Sequence, residues 1–407
     1  MTCFLKFGLR FNLMFSLFHR RFSPLSCGIQ HWLIFLLAVT ALLLFPSEGQ
    51  GAPKSIPLIY CTDLFHPPDD PDDHVDLATL FALPELEVRA IILDQGLSQR
   101  ERSGEIPLRQ MMTLTGKQTP YAAGLANPLR YPEDTGRNQF PFYQAGVEMI
   151  LRVLRESNQK VTVITTGSVR DVIAAFNRDP RLFENRIDRI YVTAGNSAGG
   201  DLHWNPNLDP QAYLRLMRST LPIYWCPCFG GQETIETLIA ERLPIQQYQT
   251  FWKFRQGDLF ESLSNPLQNF FLYALGRKIP VNDDPISYLE RKLEEQLKSK
   301  EWKQPRNMWS TASLYHAASR QLYHSTTEWA ALSEPIQNFT LSPVYDFVSV
   351  DVTIDLDLRT TMKPANDPRP IKIFHLLQLD HYQDAMTSSL RRLLSEMPIN
   401  RRFSSRP

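Results

Sequence analysis

Short apolar runs alternate with helical patterns from residue 56 to residue 225, and this alternation restricts the possible folds more than any other feature. Ile56–Cys61, Val88–Leu93, Val161–Thr165, Ile187–Thr193 and Ile223–Trp225 are almost continuously apolar. A strand with one wet face would alternate apolar and polar residues. A continuous run belongs in a parallel sheet covered on both faces. Tyr121–Ala123 reads as a further short strand before Gly124. Helical patterns lie between the runs, at Val75–Leu83, Pro107–Thr115, Tyr143–Leu154 and Pro210–Arg218. Another carries Val169, Val172, Ile173 and Phe176 at i, i+3, i+4 and i+7. The expected class is α/β, an open and mostly parallel sheet with helices on both faces.

The C-terminal half reads differently. Residues 232–325 are expected to form a helical insertion, serving as a lid or an interface. Phe251, Trp252 and Phe254 are read as helix packing. Strands are expected near Phe347–Thr353 and Ile371–Leu376. A last helix is expected from Asp380, with Gln383 closing a capping box. No internal repeat or Gly/Ser linker divides residues 53–400, so they are expected to form one domain, followed by a tail at 401–407.

The N-terminus has the form of an export signal. Lys6, Arg10, Arg20 and Arg21 precede the apolar run Trp32–Phe45, and Ser47, Gly49, Gly51 and Ala52 follow it. The run is short for a bilayer span, so residues 1–52 are expected to be a cleaved signal and the body to be exported. The alternative is an uncleaved membrane anchor. Beyond residue 52 only Cys61, Cys226 and Cys228 remain, which excludes a disulfide framework. Cys226-Pro227-Cys228 is either a redox pair or two small buried residues. The formal net charge of +0 gives no support for nucleic-acid binding.

The chemistry gathers where the first strand runs into the first helix. Asp63, Asp69, Asp70, Asp72 and Asp73 crowd this connection. Carboxylates held close repel one another unless a cation or a sugar's hydroxyls lie among them. In a parallel sheet such connections are where ligands bind.

These residues carry a resemblance. Cys61-Thr62-Asp63 followed by Asp72-Asp73 resembles the N-terminal signature of the inosine-uridine nucleoside hydrolases, with Cys61 in place of the first acid and a longer loop through His66-Pro67-Pro68. Thr119-Pro120-Tyr121-Ala122-Ala123-Gly124, Thr165-Thr166-Gly167-Ser168 and Gly195-Asn196 followed by Trp204-Asn205-Pro206-Asn207-Leu208-Asp209-Pro210 are similar to later motifs of that family, in the same order. The resemblance spans roughly Ile56–Gly231. It implies a Rossmann-like sheet and calcium-dependent hydrolysis of ribonucleosides, a chemistry akin to glycoside hydrolysis. It implies Asp63, Asp73 and the Thr166 carbonyl as metal ligands, with Asp63 also the base for water. Asp72 and Asn205 would grip ribose hydroxyls, and Asn196 the far end of the sugar.

The departures are specific. His203 stands where the family has a glutamate and is a candidate leaving-group acid; Asp201 is close enough to replace that glutamate. Asp94-Gln95 stands where the family has an asparagine. The family's late His-Asp pair becomes Met308-Trp309, with Asn307 as the remaining candidate metal ligand. His66 and His74 are further candidate acids, with His74 expected on an exposed helix face. The alternative function is a nucleoside- or ribose-binding protein on the same scaffold. A small-molecule riboside is the expected partner, and a homo-oligomer is open.

Overall fold

The computed structural model describes residues 55–201, 204–232, 234, 236–237, 246–276, 284–365 and 371–404. Residues 1–54, which include the expected export signal, and His203 lie outside them. Fourteen strands are described: β1 (Ile56–Thr62), β2 (Leu86–Leu93), β3 (Tyr121–Ala123), β4 (Val161–Thr165), β5 (Ile187–Thr193), β6 (Ile223–Cys226), β7 (Trp252–Arg255), β8 (Pro305–Met308), β9 (Gln321–His324), β10 (Trp329–Leu332), β11 (Thr340–Leu341), β12 (Tyr345–Ile354), β13 (Thr360–Pro364) and β14 (Lys372–Leu376). The main helices are α1 (Asp72–Ala82), α2 (Glu105–Thr115), α3 (Ala145–Glu156), α4 (Arg170–Arg178), α5 (Pro180–Arg186), α6 (Trp204–Leu208), α7 (Pro210–Met217), α8 (Asn265–Leu275), α9 (Thr311–Ala317) and α10 (Leu379–Ser395).

The main sheet has the order β13-β12-β14-β6-β5-β4-β1-β2-β3. From β14 to β3 every pairing is parallel. β12 and β13 add an antiparallel edge. The chain winds one way through β1, β2 and β3, then returns to build β4, β5 and β6 on the other side of β1. The order therefore reverses between β1 and β4, and a crevice opens at their carboxyl ends.

The expectation of a sheet buried on both faces holds, for the reason given. Along β1, Leu58 and Tyr60 enter one core with α1, α2, α8 and α10, while Ile59 and Cys61 enter the other with α3, α4 and α7. Successive side chains point to opposite faces, so a strand covered on both must be apolar throughout.

Residues 232–325 depart from the expectation. Helices are present, but β7 pairs antiparallel with β8, and β9 pairs with β10 and β11 from beyond residue 325. Phe251 lies just before β7, and Trp252 and Phe254 lie within it, so they are not helix packing. Trp252 and Phe254 are buried while Lys253 and Arg255 face outward, the alternation of a half-buried strand. The last helix begins at Leu379, and no side chain caps its amino end, so the capping box at Asp380 and Gln383 is not formed. Its buried face carries Tyr382, Met386, Leu390, Leu393 and Leu394.

Candidate active site at the carboxyl ends of the parallel strands

Three strand ends meet where the sheet order reverses. Asp63 follows β1, Asp94 follows β2 and Thr166 follows β4. The ladder runs on past the strands: Thr166 N donates to Cys61 O at 2.9 Å and Asp94 N to Thr62 O at 2.8 Å. Asp72 and Asp73 open α1, whose amino end favours negative charge.

Asp73 is the centre of this group. Its Oδ1 accepts from the hydroxyl of Thr166 at 2.8 Å and from the hydroxyl of Thr62. The Tyr60 hydroxyl lies 3.2 Å from that of Thr166. The Asp63 and Asp73 carboxyls lie close enough that the charge of Asp73 acts on Asp63. Burial, then the charges of Asp73 and Asp94, hold Asp63 well above the usual carboxylate range. Burial does the same to Asp72, with Asp70, Asp73, Asp76 and Asp63 adding to it. Asp73 is raised by burial, against which the Thr62 and Thr166 hydroxyls work. Gly167 allows the approach: a Cβ there would stand 2.9 Å from Asp63 Oδ1.

Asn205, on α6, spans two strand ends. Its Nδ2 donates to Thr166 O at 2.7 Å and to Thr193 O at 2.8 Å. The Thr166 carbonyl thus has one of its two acceptor positions filled by protein. Asn196 is engaged by nearby backbone groups. It is fully buried, and its amide donates to Gly231 O at 2.9 Å and accepts from Ala198 N at 2.9 Å. Asn307 sits on β8, where it lines a small crevice with Pro71 and Asp72. Met308 is fully buried in the core. Trp309 packs on Phe229 and Phe251, with ring centroids 6.2 and 5.8 Å away. Of the outer acids, Asp69 pairs with Arg102 at 2.5 Å and Asp201 with Arg359 at 3.7 Å, both exposed.

His74 corrects an expectation. It is 1% exposed, because the Leu64–Pro71 connection and α8 cover that side of α1. Burial, and next the neighbouring His66, push its pKa down to about 3. Burial alone takes His66 to about 4, and its ring stacks on Tyr273 at 4.6 Å. Both rings are therefore neutral at physiological pH.

Several supporting residues carry no local sequence signal. Asp94 accepts from Ser168 N at 2.7 Å, Ser168 Oγ at 2.8 Å and Gln95 N at 2.7 Å, so an acid replaces the family's asparagine by tying down the Thr166–Ser168 turn. Arg170 and Asp209 form a buried ion pair at 3.1 Å. Arg170 also donates to Leu125 O at 3.1 Å and Leu208 O at 2.8 Å, while Asp209 caps α7 through Ala212 N at 3.0 Å. This cluster fixes the turn that carries Asn205. Asp76, one turn along α1, is fully buried and held well above its usual range by burial and by Asp73; the Ser310 hydroxyl eases this in part.

The hard oxygens gathered here are the Asp63 and Asp73 carboxylates, with the Thr166 hydroxyl on Asp73 and the backbone of Gly167 against Asp63. That chemistry fits a hard divalent cation, whose charge would relieve the repulsion within the pair. The set is sparse. Among the described residues, no group of three or more His, Cys, Asp or Glu side chains is arranged to hold a metal ion.

The sequence profile of the inosine-uridine preferring nucleoside hydrolases matches residues 67–288, more than half of the chain. The chain belongs to that family. Asp72, Asp73, Thr166, Asn196 and Asn205 fall inside the matched span, and Asp63 and Asn307 outside it. The pyrimidine-specific ribonucleoside hydrolase RihA of Salmonella enteritidis PT4 is 29% identical over 191 residues, covering 42% of this chain and 59% of the relative. The same enzyme of Salmonella typhi gives the same figures, 29%, 42% and 59%. The chain therefore spans about three-fifths of the length of these curated relatives. Among solved structures, a plant nucleoside hydrolase, the PpNRh1 enzyme, is 14% identical with a TM-score of 0.50, covering 85% of this chain and 100% of its own. That similarity is one of fold.

Proposed function

We propose that this nucleoside hydrolase family member cleaves the N-glycosidic bond of ribonucleosides, releasing base and ribose, with calcium as the bound cation. The observation that carries the reading is the close pair of Asp63 and Asp73 carboxyls at the point where the sheet order reverses. Asp63, Asp73 and the Thr166 carbonyl would hold the cation, with Asn307 as a further candidate. When bound, the cation supplies a polarised water and a template for the ribose hydroxyls.

The remaining steps belong to the chain. Asp63 takes the water's proton, a role that suits a carboxylate whose basicity is raised by burial and by like charge. Asp72 accepts a hydrogen bond from a ribose hydroxyl, and Asn205 offers Oδ1 to another, its Nδ2 being committed to Thr166 and Thr193. The surrounding carboxylates stabilise the positive charge that grows on the ribosyl ring as the bond breaks. His203 remains the proposed leaving-group acid.

The test is incubation of the protein with inosine, uridine and p-nitrophenyl riboside, with calcium or with chelator, following free base or phenol. Turnover with calcium, abolished in Asp73→Ala, is expected. A second reading rests on Met308 and Trp309, which are packed among apolar side chains where the family has its late His-Asp pair. It makes the chain a nucleoside- or ribose-binding protein with weakened catalysis, and calcium-dependent binding without turnover would favour it. We further propose that residues 1–52 direct export of the domain, by a cleaved signal or an anchor; the N-terminal residue of the purified protein decides between these.

A further inference from the structure

A second cleft lies away from the acid cluster. A cavity of about 380 Å³ opens on one face of the sheet, by the start of β14 and β6. Tyr224, His316, Arg320, Gln321, Phe347 and Lys372 line it, with Asp346 at its side. Lys372 is the first residue of β14, and its register partner on β6 is Tyr224. The acid cluster sits at the opposite ends of the parallel strands. This volume falls in the range of small-molecule sites.

Its walls are aromatic. The rings of His316 and Phe347 lie 4.5 Å apart, His316 and Tyr224 5.6 Å, and Tyr224 and Phe347 5.2 Å. Such a set offers flat faces and edges to a planar guest. Two of its three cations are paired, Arg320 with Glu85 and Arg189 with Asp188 at 2.7 Å, and Lys372 has no ion pair among the described residues. Arg320 is held by Glu85 at 3.0 Å and by Ala331 O at 2.9 Å, so its guanidinium is immobile. Arg189 lies over the Tyr224 ring at 5.4 Å. Lys372 stands in the wall itself. Asp346 is engaged by His375 Nδ1 at 2.9 Å. His316 is fixed through Nδ1 to the Tyr191 hydroxyl at 2.6 Å, and burial, Arg189 and Lys372 push its pKa down to about 4. It is therefore a neutral hydrogen-bonding ring between two cations.

We propose that this cleft is a second ligand site, which takes a small planar aromatic anion against the wall formed by the Tyr224, His316 and Phe347 rings with its acidic group at Lys372. The acidic group is a carboxylate or a phosphate, since both meet an ammonium in the same way. The site goes beyond the proposed hydrolysis and uses none of its residues.

The experiment is calorimetric titration of the full chain with orotate and with uridine 5′-monophosphate. All titrations are run in chelator, so that the proposed riboside site lacks its cation, and uridine and inorganic phosphate serve as controls that lack the charge or the ring. Binding of one of the two anions is expected, with the controls at least tenfold weaker. Lys372→Met should weaken binding tenfold or more, and Asp72→Asn should leave it unchanged. A melting curve checks that Lys372→Met is folded; should it not be, crystals soaked with the bound anion must show its ring against Tyr224. Failure of both anions to bind, equal binding by Lys372→Met, or loss of binding in Asp72→Asn instead would overturn the proposal. Orotate binding alone identifies the carboxylate arm, and nucleotide binding alone the phosphate arm.

Discussion

Asn205 Nδ2 donates to the carbonyl of Thr166 at 2.7 Å, and with its second bond to Thr193 it joins the ends of β4 and β5. One side chain thus orients a carbonyl proposed to hold a cation, while its own oxygen is proposed to meet the sugar. Asn205→Ala removes both functions. We expect kcat/KM for uridine to fall about 100-fold, near 2.7 kcal/mol, the scale of a lost preorganised contact. Steady-state kinetics on the variant check this.

The Arg170–Asp209 ion pair is sealed from solvent and stitches three segments together. Arg170→Met leaves Asp209 buried and uncompensated, a loss of about 3–5 kcal/mol. Urea unfolding should show a lower midpoint at unchanged slope. Activity should fall only in proportion to the folded fraction plus any drift of Asn205.

Gly167→Ala separates function from stability. The new Cβ would stand 2.9 Å from Asp63 Oδ1 and from Asp63 N, so Asp63 must move. We expect riboside turnover to fall by more than tenfold while the circular dichroism spectrum is unchanged. A variant with wild-type turnover would show that the position of Asp63 is not critical.

Acid sensitivity should trace in part to His316. Its folded pKa of about 4 lies below the ordinary histidine value of 6.5. Between these two values the unfolded chain binds the extra proton and the folded chain does not. The contribution is therefore complete above pH 6.5, declines as pH falls, and changes no further below pH 4. His316→Phe should lose less stability than the parent between pH 7.5 and about pH 5, as read by urea midpoints at each pH.

How much was legible in the sequence follows from which interactions are local. The strands of the parallel half were readable because burial on both faces removes the polar residues, and Asp63, Asp72 and Asp73 because they cluster along the chain. Trp252-Lys253-Phe254-Arg255 was misread because aromatic density drew attention from its period of two. His74 was misplaced because its cover comes from α8, far along the chain. Asp94 with Ser168, and Arg170 with Asp209, were not found as pairs: their partners lie 74 and 39 residues away, and no local pattern encodes such a contact.

The most direct measurement of the central claim is ribose release from uridine and inosine by the wild-type chain and by Asp63→Asn, read beside each protein's melting temperature in chelator. Burial, then the charge of Asp73, holds Asp63 well above the usual carboxylate range, so the two repel each other when both are ionised. We expect Asp63→Asn to lose about 1,000-fold in rate while melting no lower than the wild type, because the repulsion is relieved. Equal ribose release by the two proteins, or none from the wild type with calcium present, would contradict the assignment of the acid pair as a ribosyl-cleaving site.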